Sequence, residues 1–314
     1  MTTPTTSGGA SGNQTDWTAF ALLVMTGLCW SGNTVFVRAL HESIAPAGVS
    51  FWRTVLTVLV LLPFVFGKLR AQFGVLRSHW RLIFMIGFAQ FAVGQAMLYL
   101  GLQTTTAVNA GLILGVQPAL TVILAWLMVG ERLRPIQSVG VVLALVGVSA
   151  IILRGDLGSL HGFEFVIGDI WVGVAVIGWS IYAPFVRRLP REIDPFVLVT
   201  ATTFCGGIGL VPFYAGEVYW LGIHTETTWE TFAIICYIAL FGTILGVVGW
   251  NIGIARIGPS RASTFLYLIP VFTVVLGVTA LGETLHMYQV VGMVLVLAGV
   301  TITNRAGVSR ASTS

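Results

Sequence analysis

From Trp17 onward the chain consists of long apolar runs separated by short polar breaks. A helix needs about 20 apolar residues to cross a hydrocarbon layer of roughly 30 Å. Runs near that length lie at Trp17–Val37, Pro46–Gly67, Trp80–Leu100, Thr105–Val129 and Pro135–Leu153. A second set follows at Ile167–Val186, Pro195–Ala215, Trp229–Asn251, Gly258–Leu281 and Met287–Thr303. The pattern predicts an all-α membrane protein of ten transmembrane helices, with connections too short to hold a soluble domain.

Composition points the same way. Of 314 residues, 56% are hydrophobic and only 9% are charged, with mean hydropathy +0.91. The surface of a soluble domain this long needs several times more charge. Residues 1–16 lack the basic flank and apolar segment of a signal peptide and are expected to form a disordered cytoplasmic tail, with a second tail at 304–314. Cys29, Cys205 and Cys236 lie in apolar runs without metal spacing and are expected as free thiols. No metal or cofactor site is visible in the sequence, and the formal charge of +4 does not indicate a nucleic-acid partner.

The basic residues are unevenly placed. Thirteen of sixteen Lys and Arg fall on one side of the predicted spans, Arg38 and Arg154 fall on the other, and Arg53 lies within a span. The positive-inside rule then predicts that both termini are cytoplasmic.

The chain repeats itself. A shift of 152 positions aligns Gly101–Ala150 with Gly253–Ile302 at 18 of 50 identities, including Pro118 with Pro270, Glu131 with Glu283 and Gln137 with Gln289. A shift of 149 aligns "WSGNTVFVRAL" from Trp30 with "WSIYAPFVRRL" from Trp179, with 6 of 11 matching. The units, 17–153 and 167–303, each hold five spans, an odd number, so they enter the membrane from opposite faces. Such inverted repeats recur in secondary transporters, whose halves exchange conformations around a central site.

Two five-helix halves, each with a "GE-x-L-x-x-x-Q-x-x-G" junction before a Gly-rich last helix, resemble the drug/metabolite transporter superfamily in its ten-helix EamA group. Within that group the chain is similar to YddG-like amino-acid exporters. The resemblance implies export of aromatic or neutral amino acids, or similar small metabolites, across the bacterial inner membrane by alternating access.

Several polar residues inside the spans are candidates for the pathway. Arg53 begins about seven residues into the second span, roughly 10 Å along it. It either grips a substrate carboxylate or snorkels outward and ties loop carbonyls. Asn33, Gln90, Gln95, Tyr99, Asn109, Gln117, Trp179, Ser180, Tyr182 and Tyr267 supply amide, hydroxyl and aromatic groups for a zwitterion with an apolar side chain, and each is also a candidate for interhelical packing. Pro118 and Pro270 fall mid-span, where proline removes a backbone hydrogen bond, and are candidate hinges. Glu131 and Glu283 precede a helix start, where the dipole favours a carboxylate, which gives them a structural role.

Gly140/Gly147 and Gly292/Gly299 suit close helix packing. The remaining acids and all five histidines fall at span edges or in loops, which favours facilitated diffusion or exchange over a proton-driven pump. The expected partners are a small-molecule substrate and the bilayer, and a monomer suffices. Alternatives are a multidrug, sugar-phosphate or nucleotide-sugar transporter. A channel or an intramembrane enzyme fits less well, the latter because no nucleophile with a base and no acid cluster is present.

Overall fold

Several helices start where the sequence supplies a cap or a proline. In the computed structural model, Asp16 caps α1 (Trp17–Ala39) by accepting from the Ala19 amide, and Pro46 opens α2 (Pro46–Ser78). Then come α3 (Trp80–Gly101), α4 (Ala107–Leu114 and Gln117–Val129) and α5 (Pro135–Ile152). The second half holds α6 (Ile167–Val186), α7 (Pro195–Trp220) and α8 (Trp229–Tyr237, Ile238–Leu245 and Gly246–Ile257). It ends with α9 (Ser263–Tyr267 and Leu268–Leu281) and α10 (Met287–Val308). The structure describes residues 16–129, 135–154, 166–186, 188–190, 192–226, 228–257 and 262–308. Among these there is no strand.

All ten expected spans are helical in their described residues, residues 258–261 of the ninth lying outside them. Eight are long and apolar enough to cross a membrane, and Phe265–Leu281 and Met287–Thr303 are shorter apolar helices. With ten spans, the start of α1 and the end of α10 lie on one face, here the terminal face, and the opposite is the far face. The helix expected at Pro46–Gly67 instead continues to Ser78, because Leu69, Val75 and Leu76 find apolar partners in Leu189 and Ile193.

The halves are interleaved about a pseudo-twofold axis. α1 packs on α8 and α9, and α6 packs on α3 and α4 in the same way. α5 and α10 form a separate pair of closely touching helices. A Cβ on Gly299 would lie 2.4 Å from the Gly140 carbonyl oxygen, and one on Gly147 would lie 2.8 Å from that of Gly292. In lipid, where apolar burial drives little association, such backbone approach supplies the dispersion contact that holds helices together.

Symmetry fails where α4 and α9 meet. α4 meets α9 through its far-face half, Ala107–Leu114, with a Cβ on Gly111 only 2.6 Å from Thr273. Its terminal-face half, Gln117–Val129, turns to α6, while the first turn of α9 turns to α1. The two helices therefore close the far face and part towards the terminal face.

Candidate functional site

In α3 and α8 the ladder widens to π-turns at Phe88–Gln95 and Ile238–Leu245, sites where backbone and side chains are re-aimed. Each wide turn is pinned by the other half: Trp179 donates its indole N–H to the Gln90 carbonyl at 3.1 Å, and Trp30 donates to that of Gly242 at 2.9 Å. The turns deliver Phe91, Gln95 and Thr243 to the second turn of α2, where Arg53 is 5% exposed.

The Arg53 guanidinium donates from Nη1 to the Tyr99 hydroxyl at 3.1 Å and from Nη2 to Thr243 Oγ1 at 2.8 Å. Its carbon sits 5.6 Å from the centre of the Phe91 ring. Tyr99 passes the chain on, donating to Asn33 Oδ1 at 2.8 Å, and buried Gln95 lies one turn before Tyr99 on the same helix. No carboxylate lies within ion-pair distance of Arg53 among the described residues.

Several polar atoms here are buried without a partner. They are Arg53 Nε, Gln95 Nε2, Ser50 Oγ and Thr57 Oγ1, and Ser50, Arg53 and Thr57 share one face of α2. A buried polar atom left unpaired costs about 1–3 kcal/mol, and more when charged, so such a cluster is poised to accept a polar ligand. A buried cation lacking its anion makes that ligand an anion.

A second polar cluster lies nearer the far face. Asp169 in the first turn of α6 is fully buried, accepts a short bond from Thr105 Oγ1 and faces Asn109 Nδ2 at 3.4 Å. Gln289 joins it from α10, donating to Asn109 Oδ1 at 2.6 Å. Beside it, both Glu283 carboxylate oxygens accept from the first amides of α4, Ala107 at 2.7 Å and Val108 at 2.8 Å. The expectation for Glu283 is thereby corrected: the helix start it holds is that of α4, not of the α10 that follows it, because α9 ends against α4. Glu131 lies outside the described residues. Glu217 repeats the arrangement at the end of α7, accepting from the Ala47 and Gly48 amides of α2, each at 2.8 Å. Both carboxylates sit at helix N-termini, where free amides and the dipole favour a negative charge.

The prolines carry mirrored bonds. Ser31 donates to the Ile269 carbonyl at 3.0 Å and Ser180 to that of Gln117 at 3.3 Å, the residues just before Pro270 and Pro118. Thr273 and Thr121 donate to the same two carbonyls. The helix interruptions fall one turn earlier than the prolines, at Gly115–Val116 in α4 and at the 3₁₀ turn Ser263–Tyr267 in α9.

Of the residues singled out in the sequence, Asn33, Arg53, Gln95 and Tyr99 come together. Asn109 belongs to the Asp169 cluster, Gln117 and Ser180 to the Pro118 contact, and Trp179 and Gln90 to the wide turn of α3. Tyr182 packs in a satellite core with Phe185 and Ile83, and Tyr267 packs on the main core. Sequence reasoning missed Thr243, Phe91, Thr105 and Asp169. Asp169, an acid at the edge of its span, is carried into the protein by the first turn of α6, and the repeat flags Gln289; nothing in the sequence marks Thr243.

A buried polar site between two inverted five-helix halves defines a membrane transporter. The EamA-like transporter family model matches residues 17–153 and 166–305, and the chain belongs to that family. It is 29% identical to the "Uncharacterized transporter YyaM" of Bacillus subtilis over 261 residues, 82% of this chain and 83% of that one. It is 27% identical over 292 residues to a "Probable terminal-alkyne amino-acid exporter" of Streptantibioticus cattleyicolor, 92% of this chain and 94% of the other. A "Probable amino-acid metabolite efflux pump" of Salmonella typhimurium is 26% identical over 300 residues, 90% and 92% of the two chains.

Proposed function

We propose that the protein exports amino acids or closely similar carboxylate-bearing metabolites across the bacterial inner membrane by alternating access, making and breaking no covalent bond. The observation that carries this reading is Arg53: a buried guanidinium with an unbonded Nε, no carboxylate partner, and the unbonded Gln95 amide nearby. A substrate carboxylate supplies the missing anion. The hydroxyls of Tyr99 and Thr243 hold the guanidinium in place, and the Phe91 ring borders the space for an apolar side chain. The exporter names of two relatives support the same substrate class.

The excess of basic residues on the terminal face supports a cytoplasmic position for it, and with that orientation the parting of α4 and α9 is the form that loads from inside. Export then requires release of the α4–α9 contact on the far face and its re-formation on the terminal face.

The test is uptake of labelled amino acids by proteoliposomes, with and without a pH gradient. The parent is expected to show saturation and counterflow, as a channel does not. Arg53→Gln raises KM for carboxylate substrates by about tenfold or more, the worth of one charge-assisted bond, and leaves the matching amino alcohols unaffected. Arg53→Lys, which keeps the charge, retains part of the activity. Equal handling of amino acids and their alcohols by the parent would remove the carboxylate from the reading. For topology, a cysteine at Gly222 is labelled from outside and one at Ser78 is not; the reverse pattern overturns the orientation.

A further inference from the structure

At 33 residues, α2 is about 50 Å long, against a hydrocarbon layer of roughly 30 Å. Its last turns are held against the rest of the protein along one side. Leu69, Val75 and Leu76 pack on Leu189 and Ile193, and Gln72 donates to the Glu192 carbonyl at 2.9 Å while accepting from the Asp194 amide at 3.0 Å. The tail, about 20 Å beyond the length that spans the hydrocarbon layer, therefore has one side fixed on the α6–α7 link at the terminal face.

The opposite side has an unusual composition for an exposed helix. Phe66, Arg70, Phe73 and Arg77 recur at intervals of four, three and four, one face of a helix, and Trp80 and Arg81 continue them past the corner. Phe66, Phe73 and Trp80 are 59%, 60% and 57% exposed. No Asp or Glu occurs anywhere between Glu42 and Glu131. Lys68 is taken by Asp194 at 2.7 Å, but Arg70, Arg77 and Arg81 have no carboxylate within ion-pair distance among the described residues, and Arg81 lies over the Trp80 ring at 5.7 Å. At the corner, Arg77, Ser78, His79, Trp80, Arg81 and Leu82 line an open bowl of about 390 Å³.

We propose that this face is a docking surface for anionic phospholipid headgroups of the adjacent leaflet, the phosphodiester seated in the bowl between Arg77 and Arg81. Aromatic rings and guanidinium groups alternating on one face match a layer that is apolar below and negatively charged above. No acid on this stretch of chain repels the headgroup charge, and Asp194 of the adjoining link is paired with Lys68 on the fixed side. Docked in this way, the tail fixes the α6–α7 link, and with it the terminal end of α7, to the plane of the membrane.

The experiment reconstitutes the full chain in phosphatidylcholine bilayers carrying traces of spin-labelled phosphatidylglycerol or spin-labelled phosphatidylcholine. Electron paramagnetic resonance then reads the motionally restricted fraction of each. The parent is expected to hold phosphatidylglycerol about fivefold or more over phosphatidylcholine, with the preference falling in high salt as charges are screened. Arg70→Gln, Arg77→Gln and Arg81→Gln together should bring the preference below about twofold, while the corresponding three Lys substitutions retain most of it. No preference in the parent, or full preference in the Gln variant, overturns the proposal. Loss of the parent's preference to inorganic phosphate at constant ionic strength would also overturn it, assigning the bowl to a free anion. If the Gln variant fails to fold, the parent's lipid and salt dependence still decides.

Discussion

Trp179 donates its indole N–H to the carbonyl of Gln90 at 3.1 Å, and Trp30 makes the equivalent bond to Gly242 in the other half. Each bond crosses from the first helix of one half to the third helix of the other, at the height where that helix widens. Trp179→Phe and Trp30→Phe keep a ring but leave the carbonyl without its donor. Each is expected to lower stability by about 0.5–1.5 kcal/mol, with the double variant close to additive. Thermal unfolding of purified protein checks this, and a loss confined to one variant would show that the two bonds are not equivalent.

The α5–α10 contact allows a sharper steric test. A Cβ on Gly299 meets the Gly140 carbonyl at 2.4 Å and the Ala144 amide nitrogen at 2.5 Å, both backbone atoms that cannot rotate away. Gly299→Ala should therefore destabilise by roughly 1–3 kcal/mol, whereas Gly173→Ala, with nothing within 4 Å, should be neutral or slightly stabilising. Folded yield and thermal midpoint of the two variants give the comparison.

Glu283 closes the far face through two amides of α4. Glu283→Gln keeps the size but removes the charge and one acceptor, weakening the contact by about 0.3–2 kcal/mol. Fully buried Val108, replaced by cysteine in a background lacking Cys29, Cys205 and Cys236, should then react several-fold faster with an impermeant maleimide added from the far side. An unchanged labelling rate would mean that the carboxylate does not hold the closed form.

A pH dependence follows from the Lys68–Asp194 pair on the terminal face. The Lys68 ammonium, and then the Phe196 and Val197 amides at the start of α7, hold the Asp194 carboxyl below the usual carboxylate range. Because the folded value is depressed, the stabilisation is present above the unfolded Asp value of about 4 and is lost as pH falls through the folded value. Asp194→Asn should thus cost on the order of 1 kcal/mol or less at pH 7 and nothing once the carboxyl of the parent is also protonated. Unfolding of parent and variant compared from about pH 7 to pH 3 checks the sign.

Much of the architecture was legible because lipid leaves few alternatives to an apolar helix of about 20 residues, and because the repeat is written with prolines, glycines and a glutamate rather than with Leu and Val. The site was legible only in part. Arg53 stood out as a charge inside a span, and Asn33, Gln95 and Tyr99 as polar residues near it in depth. Thr243 did not, since a threonine in a membrane helix ordinarily bonds back to its own backbone, as Thr243 also does to the Ile238 carbonyl at 3.2 Å. The wide turns of α3 and α8 were invisible because no proline marks them. They are held by an indole from a helix far away in sequence, and local periodicity carries no trace of such a contact.

The frame is doubled, but its charge is not. The position in the second half that mirrors Arg53 is Thr202, whose hydroxyl is spent on the Leu198 carbonyl at 2.9 Å. A chain that had kept an arginine in both places would offer two guanidinium groups across its axis and hold two anions, or one dianion, at once. On the proposed reading of Arg53 as the carboxylate grip, a single guanidinium matches one carboxylate per cycle, so a monoanion or zwitterion fits the site and a dianion does not.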